Sequence, residues 1–371
     1  MHAPTVSSLP LAGITVVAIE QAVAAPFATV RLADAGARVI KLERPEGDFA
    51  RGYDSSARGQ SSYFVWLNRG KESLVVDLTH AQGKARLAEL LEGADVLVQN
   101  LKPGALARLG FDAQRLWRDY PRLIAVSICG YGEGGPMSDR KAYDLLIQAD
   151  SGMCSITGGP EGPARVGVSI VDIATGATTY ASILEALIRR GITGKGAHIS
   201  VSMFDVMADW LTVPLLNHEG GKTPKRSGLA HPSIAPYGVF ACKDGHQVLI
   251  SVQSDREWVK LADLFLGKPE LARDARFATN VARVANRAET DAEVAAGFAS
   301  RTLTEATEAI LSADVAFATV NDMEGLSRHP HLRRITVETP NGPVSYPAPA
   351  PIFADEPRSY GPVPALRLGE K

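Results

Sequence analysis

The chain has 371 residues, 45% hydrophobic and 22% charged, which is typical of folded globular proteins and long enough for two domains. Its 39 Lys and Arg residues nearly balance 41 Asp and Glu residues without a basic block, which disfavours nucleic acid as a partner. The three cysteines are far apart in the sequence, which disfavours disulfides and cysteine metal sites. We find no signal peptide and no apolar stretch of ~18 residues, so we expect a cytoplasmic protein without a membrane span.

Strands and helices alternate over the first third of the chain. A β-branched run at 14–19, an Ala-rich helical stretch at 27–36 and a second run at 37–43 form a strand–helix–strand unit. Two further units follow, one from SLVVDL to DVLVQN and one in LWRDYPRLIAVSICGYG. This alternation predicts a parallel sheet covered by helices, that is, an α/β fold with a large doubly wound, Rossmann-like domain.

The rest of the chain has a different pattern. Residues 182–212 resemble a long helical tract broken near RRGITGKGAHIS, and a stretch rich in Gly, Pro and basic residues follows. The segment YGVFACKDGHQVLISV predicts a hairpin, and two or three helices after it complete a smaller α/β domain. The final segment is Pro-rich and extended, so it must lie on the first domain. The predicted division is a large domain over 1–203, a linker over 204–226, a small domain over 227–320, a linker over 321–340 and a return to the large domain over 341–371.

No common cofactor or metal motif is present. The first unit has the shape of a dinucleotide-binding unit, and Glu43 ends its second strand. Its QAVAAP loop nevertheless lacks the glycines that let a pyrophosphate approach the backbone. Neither H-E-x-x-H nor C-x-x-C occurs, and no clustered His and carboxylate spacing indicates a metal site. The carboxylates Asp144 and Asp172 remain as candidates for chemistry.

The segment RVGVSIVDIATGATTY, residues 165–180, places Asp172 at a junction. The alternating residues Val166, Val168 and Ile170 predict a strand that ends at Asp172, and small residues typical of a helix follow. One interpretation is that Asp172 caps this helix. The other is that the helix dipole keeps its carboxylate ionised and that the junction directs it into a crevice. This window alone leaves both interpretations open.

Several further motifs occur together and in a characteristic order. They are LADAGARVIKLERPEGD, LNRGKESLVVDL, VLVQNLKPGALARLG, SICGYGEGGP, AYDLLIQADSG, VDIATG and PYGVFACKDG. In these motifs, and over nearly its whole length, the chain resembles the family III CoA-transferases, which also include the α-methylacyl-CoA racemases. The resemblance implies an interlocked homodimer, in which each chain forms a ring that the C-terminal segment closes by returning to the large domain.

The resemblance also implies a covalent mechanism. Asp172 matches the aspartate nucleophile, which attacks the thioester carbonyl of an acyl-CoA and becomes first a mixed anhydride and then an aspartyl-CoA thioester. Asp144 matches a second acidic position that orients the substrate or the anhydride, with a structural cap of the helix that follows it as the alternative. Tyr143 would line the pocket. The partners would be an acyl-CoA and a carboxylic acid, with no prosthetic group and no metal.

CoA itself would be bound mainly by the large domain. The resemblance places Val23 next to the pantetheine. It assigns the remaining CoA contacts, mostly with the adenine and phosphates, to Arg44, Val76, Leu78, Asn100, Leu101, Arg108 and Lys141. The stretch LAHPSIAPYGVF lacks the glycine-rich loop of some members, and relatives without it often use short dicarboxylates such as succinate, mesaconate or itaconate.

Two alternatives to a transferase stay open from the sequence. One is a 2-methylacyl-CoA racemase and the other is an inert CoA-binding relative. Racemases carry a His where this chain has Tyr143, and a tyrosine with an ordinary pKa of ~10 accepts a proton poorly at neutral pH. The transferase is therefore the preferred hypothesis.

Overall fold

A computed structural model of the chain describes residues 9–366, which divide into two compact units. The large unit comprises residues 9–153, 165–213 and 333–366. The small unit comprises residues 154–164 and 214–332. The chain therefore leaves the large unit, forms most of the small unit and then returns to the large one.

The large unit is built on a six-stranded sheet in which all neighbouring strands are parallel. The strands are β1 (Thr15–Ile19), β2 (Arg38–Glu43), β3 (Lys71–Val75), β4 (Val96–Gln99), β5 (Ile124–Cys129) and β6 (Ala197–Ser202). Their order is β3-β2-β1-β4-β5-β6, so the direction of winding reverses between β1 and β4. This confirms the predicted α/β fold and places a crevice at the carboxyl ends of β1 and β4.

Helices connect these strands, as the alternating pattern predicts. In chain order they are α1 (Ala24–Asp34), α2 (Ser62–Asn68), α3 (Ala81–Glu92), α4 (Ala105–Arg108), α5 (Ala113–Asp119), α6 (Asp144–Asp150), α7 (Met153–Ile156), α8 (Ile170–Thr193), α9 (Met203–Trp210) and α10 (Thr212–Glu219). Of these, α7 and α10 begin in the large unit but lie mostly in the small one. The strands pack with α1, α8 and α9 in one core cluster, in which Val16, Ala18 and Val96 have no exposed surface, and with α3 and α5 in a second cluster. None of the helices among residues 9–366 is both long and apolar enough to cross a membrane.

One expectation for the second half of the large unit is wrong. The segment AHISVS, which we expected only to interrupt a helical tract, forms the sixth strand and pairs in parallel with β5. A short strand that lies between glycines and a helix is easily missed, since its pairing depends on a distant neighbour. The expected linker over 204–226 contains α9 and α10 as far as Glu219, and the change from the large to the small unit falls within it, after Val213.

The strand expected to end at Asp172 is also absent. Residues 162–166 are irregular, and α8 already begins at Ile170, so Asp172 lies in the first helical turn. The physical reason is a cap from elsewhere in the chain. The Asp144 carboxylate accepts hydrogen bonds from the backbone N–H groups of Val171 (2.8 Å) and Asp172 (3.1 Å), which lets the helix start earlier.

The small unit contains a three-stranded sheet and several short helices. Strands β7 (Tyr237–Ala241) and β8 (Gln247–Ser251) form the predicted antiparallel hairpin, and β9 (Ala316–Thr319) adds a third strand. The helices are α11 (Asp255–Lys260), α12 (Asn280–Ala285), α13 (Arg287–Ala299), α14 (Leu303–Ser312) and α15 (Met323–Ser327), with a π-helical turn at Leu261–Phe265 and a 3₁₀ turn at Pro269–Ala272. Trp258, Phe265 and Phe298 are fully buried at the centre of its core.

The Pro-rich C-terminal segment packs on the large unit. It forms a hairpin of β10 (Arg334–Val337) and β11 (Val344–Pro347), and Val337 and Val363 are buried with Phe64. The N–H group of Gly70 donates to the carbonyl oxygen of Pro362 at 2.8 Å. The tail thus uses the core of the large unit, since it has little core of its own.

Candidate active site

A cavity of about 660 Å³ opens in the large unit at the carboxyl ends of β1, β4 and β5. Most of the residues that the sequence singled out line it: Val23, Asn100, Leu101, Lys141, Tyr143, Asp144 and Asp172. They come from the loops after these strands and from the starts of α1, α6 and α8. In open parallel sheets, ligands bind at such a reversal point.

The loop between β1 and α1 is held in an uncommon conformation at the edge of this cavity. Ala22 has φ 63°, a left-handed value that is rare outside glycine. Gln21, the residue before Ala22, forms two hydrogen bonds with the Asn100 side chain. Its N–H donates to Asn100 Oδ1 at 3.0 Å, and its carbonyl oxygen accepts from Asn100 Nδ2 at 2.8 Å. The N–H of Ala22 donates to Asp48 at 3.2 Å. The start of α1 at Val23 is thereby fixed against the cavity.

Asp144 is a cap for α8 as well as a wall of the cavity. Tyr143, largely exposed, precedes it, and Asp144 is the first residue of α6. One of its carboxylate oxygens accepts the two N–H groups that begin α8, and the other accepts from Gln148 Nε2 at 2.6 Å. The alternative role expected from the sequence, a cap of the helix that follows Asp144, is wrong, because Asp144 caps α8 and not α6; this places it directly beside Asp172.

Asp172 is mostly shielded from solvent in this arrangement. Its burial, together with repulsion from the nearby Asp144 carboxylate, raises the pKa of Asp172 to about 7. The expectation that the helix dipole keeps Asp172 ionised is wrong, because Asp144 takes the N–H groups of Val171 and Asp172 at the start of α8. The site thus holds two carboxyl groups: Asp144 accepts hydrogen bonds from the start of α8, and Asp172 is about half ionised at neutral pH.

The helix that carries Asp172 is tightly packed against α1. Gly176 lies one turn after Asp172, and a Cβ atom there would come within 2.6 Å of the Ala24 carbonyl oxygen. Only glycine permits this close approach. The packing of α8 on α1 fixes the distance between Asp172 and the Val23 loop, which lie on two sides of the cavity.

The other predicted CoA contacts lie outside this cavity. Arg44 is exposed just beyond β2. Val76 and Leu78 pack in the apolar cluster around Leu87, which leaves Val76 buried. Arg108 lines a second cavity, of about 740 Å³, beside β4 and β5. Leu101 lines both cavities, so they share a wall.

Sequence reasoning missed two cations of the candidate active site, Arg140 and Arg165, which also line the cavity. Arg140 lies next to Lys141, and Arg165 lies in the segment quoted for Asp172. Basic residues in the two segments that supply the carboxylates are the signal that could have identified them. Across residues 9–366, no three His, Cys, Asp or Glu side chains are grouped so that they could hold a metal ion.

Comparison with known proteins agrees with this geometry. The profile described as CoA-transferase family III matches residues 11–369. An acetyl-CoA:oxalate CoA-transferase of Acetobacter aceti is 42% identical over 281 residues, covering 75% of this chain and 72% of that protein. A succinate–glutarate CoA-transferase of Agrobacterium fabrum is 35% identical and covers 97% of this chain and 93% of that one.

Solved structures show the same fold. A CAIB/BAIF family protein from Brucella suis is 36% identical, with a TM-score of 0.81 over 94% of both chains. Rv3272 from Mycobacterium tuberculosis is 30% identical, with a TM-score of 0.86 over 97% of both chains. The matched profile spans the sheet, the cavity and the C-terminal return. This chain therefore belongs to CoA-transferase family III and is a CoA-transferase.

Proposed function

We propose that the enzyme moves CoA between a dicarboxylic acyl-CoA and a second dicarboxylate, with Asp172 as the covalent nucleophile. The observation that carries this proposal is the partly buried Asp172 carboxylate beside the capped start of α8, in a cavity at the reversal point of the sheet. The relatives support the substrate class, because the acids in their names are oxalate, succinate and glutarate. A succinyl-CoA:mesaconate CoA-transferase of Haloarcula hispanica is also 32% identical.

The exchange needs no net proton and no added reagent. An Asp172 oxygen attacks the thioester carbonyl, the carbon–sulfur bond breaks, and CoA thiolate leaves behind an acyl-aspartyl anhydride. The thiolate then attacks the Asp172 carboxyl carbon, and the donor acid departs as a carboxylate. An acceptor carboxylate attacks the resulting aspartyl-CoA thioester and releases the thiolate. The thiolate finally attacks the acyl carbon of the acceptor and restores the Asp172 carboxylate.

The cavity offers groups for the remaining tasks. Partial burial weakens the hydration of the Asp172 carboxylate, which makes it a better nucleophile once it is ionised. The first turn of α1 has no side-chain cap, so its N–H groups beside Val23 can stabilise the oxyanion of each tetrahedral intermediate. Asp144 holds the backbone of Asp172 at the start of α8 and so fixes where the Asp172 carboxylate would meet the substrate.

We assign the CoA contacts to the residues that the family resemblance identified. Val23, Asn100, Leu101 and Lys141 line the cavity and would follow the pantetheine arm. Arg44, Val76, Leu78 and Arg108 lie outside it and would take the adenine and phosphate groups. Arg44 and Arg108 suit these anions, because guanidinium groups bind phosphate oxygens in a bidentate manner.

The test is a transfer screen. The enzyme is incubated with succinyl-CoA and a panel of carboxylic acids in D₂O, and the CoA esters are analysed by mass spectrometry. We expect a new CoA ester with at least one dicarboxylate. A racemase would instead place deuterium at the α-carbon of an added 2-methylacyl-CoA, and that result without any CoA transfer would overturn the proposal.

We further propose that two chains interlock as a homodimer. The chain leaves the large unit after Val213 and returns to it at Arg333, which suits the ring that the family resemblance implies. A run of exposed apolar side chains near the point where the chain leaves the large unit supports a partner: Trp210, Val213, Leu215 and Leu216.

Interlocked chains must unfold before they can separate, so dilution should not dissociate them. Light scattering at nanomolar to micromolar concentrations is expected to give the mass of a dimer throughout. A mass that falls to that of one chain on dilution would contradict interlocking, even if a dimer forms at high concentration.

A further inference from the structure

Arg165 occupies the wall of the Asp172 cavity on the segment that leads into α8. Its guanidinium is oriented by its own chain: Nε donates to the carbonyl of Val166 at 3.1 Å, and Nη2 donates to that of Gly167 at 2.9 Å. These bonds hold the side chain against its own loop, although it remains exposed to solvent at the edge of the cavity. The residue therefore presents a fixed positive charge at the cavity.

The same loop is tied to the two carboxylates by a buried amide. Gln148 has no exposed surface; its Oε1 accepts from the N–H of Val166 at 2.9 Å, and its Nε2 donates to Asp144. Asp144 in turn holds the first turn of α8, which contains Asp172. The position of Arg165 is thus linked to that of Asp172 through Gln148 and Asp144.

Arg165 also differs from the arginines that stabilise the large unit. Arg51 and Arg69, for example, pair with Glu43 and Asp34. Over residues 9–366, no carboxylate forms an ion pair with Arg165. An arginine that lines a cavity without such a partner is suited to an anionic ligand, since guanidinium binds carboxylate through two parallel hydrogen bonds.

We infer that Arg165 binds the distal carboxylate of a dicarboxylate substrate and so selects dicarboxylates over monocarboxylates. This inference rests on the proposed function. While one carboxylate of the acid reacts at Asp172, the other would remain charged in a cavity that already holds Asp144. A fixed cation on the Asp172 segment offsets this repulsion, whereas Arg140 and Lys141 lie on the separate segment that precedes Asp144.

The experiment isolates the acceptor step. Enzyme is loaded with succinyl-CoA, freed of succinate by gel filtration, and mixed in a single turnover with glutarate or with pentanoate, which has the same number of carbons but one carboxylate. Arg165→Gln is expected to lower the rate constant for glutarate by about 100-fold and to change that for pentanoate by less than about 3-fold. Arg165→Lys should retain part of the preference, because it keeps the charge but loses the planar fork.

Arg189→Gln is the matched control, because Arg189 is exposed on α8 and lines neither cavity. It should leave both rate constants unchanged. If Arg165→Gln lowers the rate constants for glutarate and pentanoate equally, or lowers neither, the assignment of Arg165 is wrong. The proposed function would still stand in that case, provided that the wild-type enzyme forms the thioester. If the wild-type enzyme forms no thioester at Asp172, the proposed function fails and this inference fails with it.

Discussion

Replacing Asp172 by Asn is expected to lower kcat for CoA transfer by about 10⁴-fold or more and to abolish the covalent CoA adduct. Asn keeps the volume of the side chain at the start of α8 but supplies no carboxylate oxygen that can form an anhydride. The adduct is measured by the mass of the intact enzyme after incubation with an acyl-CoA. Asp209→Asn, an exposed change on α9, is the matched control and should keep full activity. A variant of Asp172 that retains more than about a tenth of the wild-type rate would show that the nucleophile lies elsewhere.

The pKa of Asp172 predicts how this step depends on pH. Only the ionised carboxylate attacks, and with a pKa of about 7 its ionised fraction rises from about one tenth at pH 6 to about nine tenths at pH 8. The rate of adduct formation should therefore increase over this range. Asp144→Asn removes the negative charge that repels the Asp172 carboxylate, which lowers the pKa of Asp172. In this variant the rate of adduct formation should therefore rise at a lower pH than in the wild type.

The same shift has a consequence for stability that separates loss of chemistry from loss of fold. Because the pKa of Asp172 is raised above the ordinary value of 3.8, the folded chain holds a proton that the unfolded chain has released between about pH 4 and pH 7. The free energy of unfolding therefore decreases as pH rises through that window. Asn removes the titration, so the inactive variant should be more stable than wild type at pH 8, by as much as about 4 kcal/mol, and close to it at pH 4.

The sheet was predictable because its signals are local. TVVAI is a nearly continuous apolar run, RVIKLE carries Val, Ile and Leu among charged residues, and each is followed by a turn or a helical stretch. Strand identity and parallel pairing therefore follow from short windows. The sixth strand was missed for the opposite reason. AHISVS has a partly polar pattern, lies between glycines and a helix, and becomes a strand only because β5 pairs with it.

The candidate site was predictable in its residues but not in its electrostatics. Asp144 and Asp172 could be found from motifs, yet the pKa of Asp172 depends on how Asp144, 28 positions earlier, bonds to the start of α8. A short sequence segment around either aspartate gives no sign of this hydrogen bond, because its two partners are far apart in the sequence. Arg165 was likewise visible in the sequence, but its place in the cavity depends on Gln148, a buried amide with no motif of its own.

A second large effect is expected from a buried cluster of charges beneath the β1–α1 loop. Glu20 accepts from Lys71 Nζ at 2.6 Å and lies 3.5 Å from Lys41 Nζ, and none of these three side chains is exposed. Burial alone would raise the pKa of Glu20, but the two ammonium groups more than offset this and keep the pKa below its ordinary value. Lys41 also binds Asp48, the residue that holds the N–H of Ala22. The cluster therefore supports the loop that borders the candidate site.

Glu20→Gln is expected to reduce the free energy of unfolding by about 3–5 kcal/mol, because it leaves two buried ammonium groups with too little negative charge nearby. Glu72→Gln is the matched control: Glu72 pairs with Arg38 at 2.8 Å, but both side chains are more than half exposed, so the loss should stay below about 1 kcal/mol. Urea unfolding at pH 7 measures both. Similar losses in the two variants would mean that the buried cluster is no more important to the fold than a surface pair, and that the Ala22 loop is held by Asn100 without help from the charges beneath it.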